Sequence, residues 1–267
     1  MKGRVLIIAG SDSGGGAGIQ ADIKAVSALN GYAATAITAL TAQNTRGVFG
    51  VHAVPTEFIT QQMELVLTDI GADCLKTGML ATVAIIDCVA DAIARFAPDV
   101  PLVVDPVMVA KGGAPLLADD AAQALIERLV RRAAVITPNI PEAEVLLGRA
   151  IPDLPAMEQA ARDLLALGPR AVLLKGGHMA GDELVDVLAE PGKLTAFAGT
   201  RIHTSSTHGT GCTLASSIAC GLAQGLDLHD AVARGRAYVR KAIETAPGLG
   251  HGHGPLNHLH TVSEFRA

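Results

Sequence analysis

A short glycine-rich turn carries the clearest chemical signal in the sequence. The residues "HGTGC" end at Cys212, directly before a run of small residues that predicts a helix over Thr213–Gln224. Glycines at a helix start let successive backbone N–H groups point at one spot, and the helix dipole adds positive potential there. We therefore expect the turn to cradle a phosphate, or the charge that develops on a phosphoryl group during transfer.

Cys212 closes this turn, and the same positive potential should favour its thiolate. A second interpretation is a buried cysteine beside an ordinary helix cap. The other cysteines, Cys74, Cys88 and Cys220, form no CxxC pair and have no metal-ligand spacing. We interpret them as free core thiols, which fits a reducing compartment.

The segment "TPNIPEAE" places Asn139 and Glu142 three residues apart at a predicted helix start. Side chains at this spacing can converge on one face, and their oxygens suit Mg²⁺, which keeps several of its waters. The same pair could instead cap the helix. The segment alone leaves both interpretations open. Asp105, before a proline, and Lys175, before two glycines, favour phosphate and metal binding.

The segment "SGGGAG" near the N-terminus indicates close approach of a ligand to the backbone. It does not fit the dinucleotide pattern GxGxxG, whose third glycine would fall at Ile19. The sequence also lacks a GxxxxGK[ST] motif, and its Gly192–Lys193 pair lies in a predicted hairpin turn. Rossmann-type and Walker-type binding are therefore weak interpretations. A flexible connection between strand and helix is the remaining alternative.

A histidine-rich segment, "HGHGPLNHLH", contains His251, His253, His258 and His260. It has no regular metal-ligand spacing, so we interpret it as a surface tail. His208, beside the glycine turn, is the better functional candidate, either orienting the turn or flanking it.

Short apolar runs alternate with helical patterns, which predicts a mainly parallel sheet with helices on both faces. The predicted strands are Val5–Ala9, Ala34–Leu40, Cys74–Thr77, Leu102–Asp105, Val135–Thr137 and Val172–Lys175. The predicted helices are Ile19–Leu29, Glu57–Thr68, Val83–Phe96, Ala121–Arg132, Met157–Leu167, Thr213–Gln224 and Asp230–Thr245. The segment "ELVDVLAEPGKLTAFAG" predicts an antiparallel hairpin at one edge of the sheet. No linker or repeat interrupts the pattern, so we expect a single domain over residues 1–267.

Polar and glycine-rich segments follow the predicted strands in turn. They are "GSDSGGGAGIQAD", "TAQNT", "TGML", "DPVMVAKGG", "TPNIPEAE" and "KGGH". Ligands of open parallel sheets bind beyond the carboxyl ends of the strands. We therefore expect these segments to line one site.

Composition narrows the class of protein. A net charge of −5 and an aromatic content of 3% argue against a nucleic-acid partner, which needs a basic face and stacking platforms. No run approaches the roughly 20 apolar residues that cross a membrane. The apolar run Val5–Ala9 is too short for a signal peptide. We expect a cytoplasmic protein that acts on a small molecule.

The whole set of motifs resembles one family. "AGSDSGGGAGIQADIKAVSALNGYAATAITALTAQNT", "KTGML", "DPVMVAKGG", "TPNIPEAE", "LLKGGH" and "THGTGCT" are similar to the hydroxymethylpyrimidine/phosphomethylpyrimidine kinases of thiamine biosynthesis, which are ribokinase-like. The resemblance implies a three-layer α/β fold, ATP and Mg²⁺ as cofactors, and a homodimer. It also implies that 4-amino-5-hydroxymethyl-2-methylpyrimidine is phosphorylated first to the monophosphate and then to the diphosphate.

The resemblance also implies roles for individual residues. Gln43 looks like the side chain that reads the pyrimidine, where the family carries Glu or Gln. The other implied substrate contacts are Gly10, Asp22, Met79 and Val107. The implied nucleotide contacts are Asn139, Thr207, His208 and Arg236, and the implied Mg²⁺ residues are Asp105 and Glu142, with Asn139 and Glu142 forming the family's NxxE element. Lys175 corresponds to the phosphate-contacting lysine, and Gly209, Thr210, Gly211 and Cys212 to the anion hole.

Cys212 stands where ribokinases proper carry an aspartate that acts as general base. A thiolate at a helix N-terminus can accept a proton or hold the hydroxymethyl group in line. The second phosphorylation needs no base, because its acceptor is already an anionic oxygen. We hypothesise that cysteine is a compromise between the two steps. Ser206 departs from the family, whose members often carry Asn there, and this affects nucleotide contacts.

Two other functions compete with this interpretation. A pyridoxal kinase of the same cysteine-bearing branch would act on a similar hydroxymethylated ring, although an amide at Gln43 suits an aminopyrimidine better. A regulator that binds the pyrimidine without catalysis would be expected to lose part of the site. The predicted hairpin and the segment "AKGGAPLL" are candidates for a loop that closes over the substrate.

Overall fold

The structure is a computed structural model that describes residues 1–108, 116–118, 121–179 and 181–263. The segment "AKGGAPLL" falls largely outside the described residues. All strands described belong to one nine-stranded sheet, in the order β3-β2-β1-β4-β5-β6-β7-β8-β9. The strands are β1 Arg4–Asp12, β2 Tyr32–Asn44, β3 Gly47–Ala53, β4 Cys74–Thr77, β5 Leu102–Val104, β6 Val135–Ile136, β7 Val172–Leu174, β8 Glu183–Glu190 and β9 Lys193–Thr200.

Parallel pairing runs through the middle of the sheet, and antiparallel pairing closes both edges. Strands β2, β1, β4, β5, β6 and β7 pair in parallel. At one edge β8 and β9 form the predicted antiparallel hairpin. At the other edge β3 pairs antiparallel with β2, a strand that the sequence did not predict. Most of β3 is exposed, and two of its residues are glycines, so it lacks the apolar run of a buried strand.

Helices cover both faces of the sheet. They are α1 Gly18–Ala28, α2 Thr56–Asp69, α3 Val83–Phe96, α4 Ala121–Arg128, α5 Ile140–Leu147, α6 Leu154–Leu165, α7 Thr210–Ala223 and α8 Leu228–Glu244. Leu6 and Ile8 of β1 pack in the core on the side of α2 to α6. Val5, Ile7 and Ala9 pack in a second core that contains residues of α1, α7 and α8. This confirms the predicted three layers, since a strand buried on both faces shows a continuous apolar run.

Several helix boundaries differ from the prediction because of local capping. Helix α6 begins at Leu154 rather than Met157, because the Asp153 side chain accepts a hydrogen bond from the Ala156 N–H. Helix α5 was predicted only by its start. Helix α4 ends at Arg128, and a short 3₁₀ turn, Val130–Arg132, follows.

Helix α7 begins at Thr210, so Cys212 lies in its first turn rather than before it. Among the helices described, none is long and apolar enough to span a membrane. The single domain over residues 1–267 stays a prediction.

Candidate active site

A cavity of about 370 Å³ lies beyond the carboxyl ends of the parallel strands. The carboxyl end of β2, the loops after β1, β4, β5, β6 and β7, and the start of α7 contribute to its walls. It brings together most of the predicted site residues: Gly10, Gln43, Met79, Asp105, Val107, Asn139, Glu142, Lys175, Thr207, His208, Gly209, Thr210, Gly211 and Cys212. Segments far apart in the sequence therefore meet at one edge of the sheet, as the strand-end pattern predicted.

A second cavity, of about 420 Å³, adjoins the first. Both are lined by Asn139, Lys175, His178, Thr207, Thr210 and Gly211. Arg236 borders only the second cavity, where its guanidinium donates to Asp186 Oδ2 at 2.7 Å and to the Phe197 carbonyl at 2.8 Å. Two cavities that meet at a lysine and a helix N-terminus can hold a donor and an acceptor with the transferred group between them.

The surroundings of the turn leave little room for a side chain at Gly209 or Gly211. Gly209 has φ +83°, and a Cβ there would lie 1.8 Å from the Gly16 carbonyl oxygen. A Cβ on Gly211 would lie 3.3 Å from Lys175 Nζ. The N–H groups in the first turn of a helix have no carbonyl of a preceding turn to bond. The Thr210 N–H bonds the Thr207 carbonyl at 3.5 Å, so the turn presents its other N–H groups beside a lysine, which suits an anion.

Lys175 sits among carboxylates at the junction of the cavities. Its Nζ lies 3.1 Å from Asp105 Oδ1, which also accepts from Thr137 Oγ1 at 3.0 Å. Burial opposes the ammonium charge, but Asp105 and Glu142 outweigh it and raise the pKa of Lys175. Lys175 is therefore a fixed positive charge facing the glycine turn.

Glu142 is part of the same charged group. Its burial raises its pKa to about 7, which Lys175 opposes and Asp105 reinforces. Asp105 and Glu142 thus place two carboxylates beside one lysine. Oxygen ligands with surplus negative charge fit a magnesium ion.

The start of α5 shows the capping arrangement, one of the two interpretations of "TPNIPEAE". Asn139 Oδ1 accepts from the Glu142 N–H at 2.9 Å, and Glu142 Oε2 accepts from the Asn139 N–H at 2.8 Å. This reciprocal pair is a capping box. Backbone hydrogen bonds from Asn139 and Met108 therefore already engage the Glu142 carboxylate that faces the cavity, which favours contact with a metal through water.

Comparisons with known proteins agree with this geometry. The family model described as phosphomethylpyrimidine kinase matches residues 12–257. The chain belongs to this family. It is 47% identical to the hydroxymethylpyrimidine/phosphomethylpyrimidine kinase of Rhizobium meliloti, covering 97% of this chain and 98% of that protein. It is 50% identical to the thiamine biosynthesis bifunctional protein ThiED of Geobacter sulfurreducens, covering 99% of this chain but 54% of that protein.

Solved structures give the same fold. A pyridoxal kinase from Bacillus subtilis in complex with ADP aligns with TM-score 0.90 and 37% identity, over 97% of this chain and 98% of that chain. A phosphomethylpyrimidine kinase from Clostridium difficile aligns with TM-score 0.81 and 41% identity, over 91% of this chain and all of that chain. The predicted ribokinase-like fold is confirmed.

The expectation that the glycine turn favours the thiolate form of Cys212 is wrong. Burial raises the pKa of its thiol to about 12. Lys76 and the Gly18 N–H oppose this shift, while Asp22 and Asp105 add to it. Loss of water, together with Asp22 and Asp105, thus disfavours the thiolate more than the groups around the helix N-terminus favour it.

Asp22 was expected in the substrate pocket, and the structure corrects this. Asp22 is fully buried beneath the cavity, where its oxygens lie 2.9 and 3.0 Å from Lys76 Nζ. Sequence reasoning missed Lys76, which borders the cavity. A signal was present, since Lys76 is the charged residue inside "CLKT", a strand predicted to be buried on both faces.

Asp12 is a second residue that sequence reasoning missed. Its buried carboxylate accepts from His208 Nε2 at 2.8 Å and from the N–H groups of Gly14, Gly16 and Ala17. Burial alone would raise the pKa of Asp12, but these hydrogen bonds lower it. Through Asp12, His208 thus connects the glycine turn to the N-terminal "SGGGAG" loop. This favours the interpretation that His208 orients the turn rather than merely flanking it.

The histidine-rich segment is not a surface tail throughout. His258 is only 3% exposed, and its Nε2 lies 2.9 Å from Thr213 Oγ1 on α7. The Gly254 carbonyl accepts from the His208 N–H, and the His253 N–H donates to the Thr45 carbonyl. The segment therefore packs across the loops that form the site, a long-range arrangement that its spacing did not show.

Proposed function

We propose that the protein uses ATP to phosphorylate 4-amino-5-hydroxymethyl-2-methylpyrimidine, and then phosphorylates the monophosphate to the diphosphate, in thiamine biosynthesis. The observation that carries this proposal is the pair of adjoining cavities that share Lys175 and the glycine turn. Relatives that share 44–47% identity over nearly their full length are hydroxymethylpyrimidine/phosphomethylpyrimidine kinases, which supports both substrates.

The acceptor occupies the first cavity in this proposal. Gln43 borders that cavity together with Gly10, Met79 and Val107. A primary amide can donate to a ring nitrogen and accept from an exocyclic amine, which matches an aminopyrimidine. The acceptor oxygen then lies toward Cys212 and the N–H groups at the start of α7.

ATP extends from the second cavity to the junction. Thr207 borders both cavities, and Arg236 borders the second. The γ-phosphate meets Lys175 and the N–H groups of Gly209 to Cys212, which stabilise the charge of the transferring group. Asp105 and Glu142 would hold Mg²⁺, largely through water, and the ion would neutralise phosphate charge there.

A homodimer and a cytoplasmic location belong to the same proposal. Large apolar side chains are exposed on neighbouring elements at one edge of the sheet: Leu40, Phe49, Val51, Phe58 and Leu65. A second copy of the chain could cover them. Light scattering of wild type and of Phe49→Glu would test the dimer. Cell fractionation would test the cytoplasmic location. The free thiols of the four cysteines fit a reducing compartment.

Pyridoxal is a second candidate acceptor, because a pyridoxal kinase aligns with TM-score 0.90. To test both, purified protein is incubated with Mg-ATP and either alcohol, and products are followed by mass over time. We expect the pyrimidine monophosphate followed by the diphosphate. Phosphorylation of pyridoxal with an inert pyrimidine would contradict the proposal, and binding without transfer would indicate a regulator.

A further inference from the structure

The end of strand β2 departs from regular pairing at Gln43. On the β3 side, the ladder skips Phe49 next to Gln43, which makes a β-bulge. On the β1 side, the last residue of β2 that pairs with β1 is Thr41. Gln43 and its β3 partner Val48 both border the first cavity. Bulges re-aim side chains and are frequent beside active sites, so the direction of the Gln43 side chain depends on what holds the backbone here.

Ser13 replaces the strand contact that β1 no longer provides at Gln43. The Ser13 hydroxyl donates to the Gln43 carbonyl at 2.9 Å and accepts from the Gln43 N–H at 3.0 Å. One hydroxyl can serve both groups, because it has one donor and two acceptor lone pairs. Ser13 directly follows β1, so its side chain continues the pairing of β1 with β2 by other means. The substitution Ser13→Ala would leave both Gln43 backbone groups to water.

Thr45 bonds the turn that follows Gln43 to the histidine-rich segment. Its Oγ1 accepts from the N–H groups of His251 and Gly252, each at 3.2 Å. Its carbonyl accepts from the His253 N–H at 2.7 Å. A side chain at position 252 would not fit, because a Cβ on Gly252 would lie 2.1 Å from the Thr45 carbonyl oxygen. The segment "HGHG" therefore contacts Thr45 through its backbone, and glycine is what permits the close approach.

The next residue of the same segment bonds the glycine turn. The Gly254 carbonyl accepts from the His208 N–H, and the Gly254 N–H donates to the Ser205 carbonyl, both at 3.1 Å. Residues 251–254 thus contact the turn after Gln43 at one end and the glycine turn at the other. Four residues of backbone therefore connect the side chain that we expect to read the acceptor ring with the turn that we expect to hold the phosphate.

We propose that Ser13 and Thr45 are positioning residues that hold the end of β2 so that the Gln43 amide meets the acceptor ring, and that they thereby set the preference of the first cavity for an aminopyrimidine. This inference rests on the proposed function, in which Gln43 bonds that ring. A misplacement of about 1 Å can cost about 10²-fold in rate. The ring of pyridoxal carries no exocyclic amine, so its binding depends less on the aim of the amide.

The main test is a double-mutant cycle with Gln43→Ala. In the wild-type background, we expect Ser13→Ala and Thr45→Val each to lower kcat/KM for the hydroxymethylpyrimidine about tenfold, mainly by raising KM. In the Gln43→Ala background, each should lower it by no more than about twofold further, because the side chain that they aim is gone. Equal losses in both backgrounds would overturn the proposal, since a role that was only structural does not depend on Gln43.

The preference between rings is measured in the same variants. With pyridoxal, used as a substrate or as a competitive inhibitor, Ser13→Ala and Thr45→Val should change the kinetic constant by no more than about twofold. The preference for the aminopyrimidine should therefore fall about tenfold. Equal losses for both rings would contradict the proposal.

Two matched substitutions serve as controls. Thr45→Ser keeps the hydroxyl that accepts from residues 251 and 252, so it should recover most of what Thr45→Val loses. Ser27→Ala changes an exposed serine of α1 and should match the wild type. KM for ATP should stay within about twofold of wild type in Ser13→Ala. A rise of about tenfold there would assign the effect to the nucleotide and overturn the proposal.

Amide exchange separates this inference from the proposed function. The Gln43 N–H bonds Ser13, so its exchange, followed by NMR, should be about tenfold faster in Ser13→Ala. Unchanged exchange would overturn the proposal whichever acceptor is used. If wild type phosphorylates neither pyrimidine, the proposed function fails, while amide exchange still decides whether Ser13 holds Gln43. If wild type phosphorylates both and the cycle shows no coupling, the inference fails alone.

Discussion

Two lysines border the first cavity, and their settings differ. Among the residues that the structure describes, Lys175 has one carboxylate contact, to Asp105, and its side chain is 14% exposed at the junction of the cavities. Lys76 is 0% exposed and contacts both oxygens of Asp22. A lysine with a single partner and access to the cavity can bind an incoming phosphate. A lysine with a bidentate partner is held in place by that partner.

The largest expected difference between the lysines is in stability. Lys76→Met leaves Asp22 buried without a partner, so we expect the free energy of unfolding to fall by about 3–5 kcal/mol. Lys175→Met faces a cavity that water can enter, so we expect a loss of no more than about 2 kcal/mol. Urea denaturation of the two variants measures this. Equal losses would mean that the two settings do not differ energetically.

The next prediction concerns catalysis at Lys175. Lys175→Ala should lower kcat for both acceptors by about 10²–10³-fold, because it removes a charge aimed at the transferring phosphoryl group. Steady-state kinetics with each pyrimidine would measure this. A loss confined to one acceptor would contradict a role for Lys175 at the transferring phosphoryl group.

The carboxylate beside Lys175 should make stability depend on pH. Burial raises the pKa of Glu142 to about 7 in the folded protein. Protonation of Glu142 therefore contributes fully to stability below the pKa of the unfolded state, and this contribution is lost as the pH rises through 7. Between pH 5 and 8, wild type should lose roughly 1–3 kcal/mol relative to Glu142→Gln.

The effect of Mg²⁺ on stability provides a control for this dependence of stability on pH. Mg²⁺ should raise the melting temperature of wild type more at pH 8 than at pH 5.5, because the cation binds the ionised carboxylate. The Glu142→Gln variant should show a smaller difference. A flat wild-type profile would show that Glu142 is ionised throughout this range.

The smallest expected effect comes from the glycines that follow each lysine by two residues. A Cβ on Gly78 would lie 3.0 Å from both Lys76 Nζ and the Ala9 Cβ, whereas a Cβ on Gly177 would meet nothing within 4 Å. We expect Gly78→Ala to destabilise the protein by about 1–3 kcal/mol and Gly177→Ala to be within about 0.5 kcal/mol of wild type. Thermal melts of the two variants would compare them. A neutral Gly78→Ala would show that the surroundings of Lys76 are looser than those distances imply.

Much of the fold could be predicted from the sequence because it depends on local patterns. Runs such as Val5–Ala9 are apolar throughout since both faces are buried, and the "PGK" turn marks the edge hairpin. Strand β3 was missed because an exposed edge strand with glycines has no such pattern. The meeting of the strand-end motifs at one site was also predictable, since parallel topology brings those ends together.

The electrostatics of the site could not be predicted in this way. The pKa of Cys212 depends on Lys76 and Asp105, and the Asp22–Ser216 contact joins residues 194 positions apart. His258 likewise reaches Thr213 across 45 positions. Such contacts arise only once the chain has folded, so spacing within a motif does not reveal them.

The packing of the histidine-rich segment has a consequence for protein synthesis. The Gly254 carbonyl accepts from the His208 N–H, and His258 Nε2 contacts Thr213 Oγ1. Residues 254 and 258 are therefore synthesised after the other parts of the site that they contact. A nascent chain that has left the ribosome only as far as α8 contains all the strands described, but it lacks these two contacts. These contacts of the glycine turn and of α7 can therefore form only after every strand of the sheet has been synthesised.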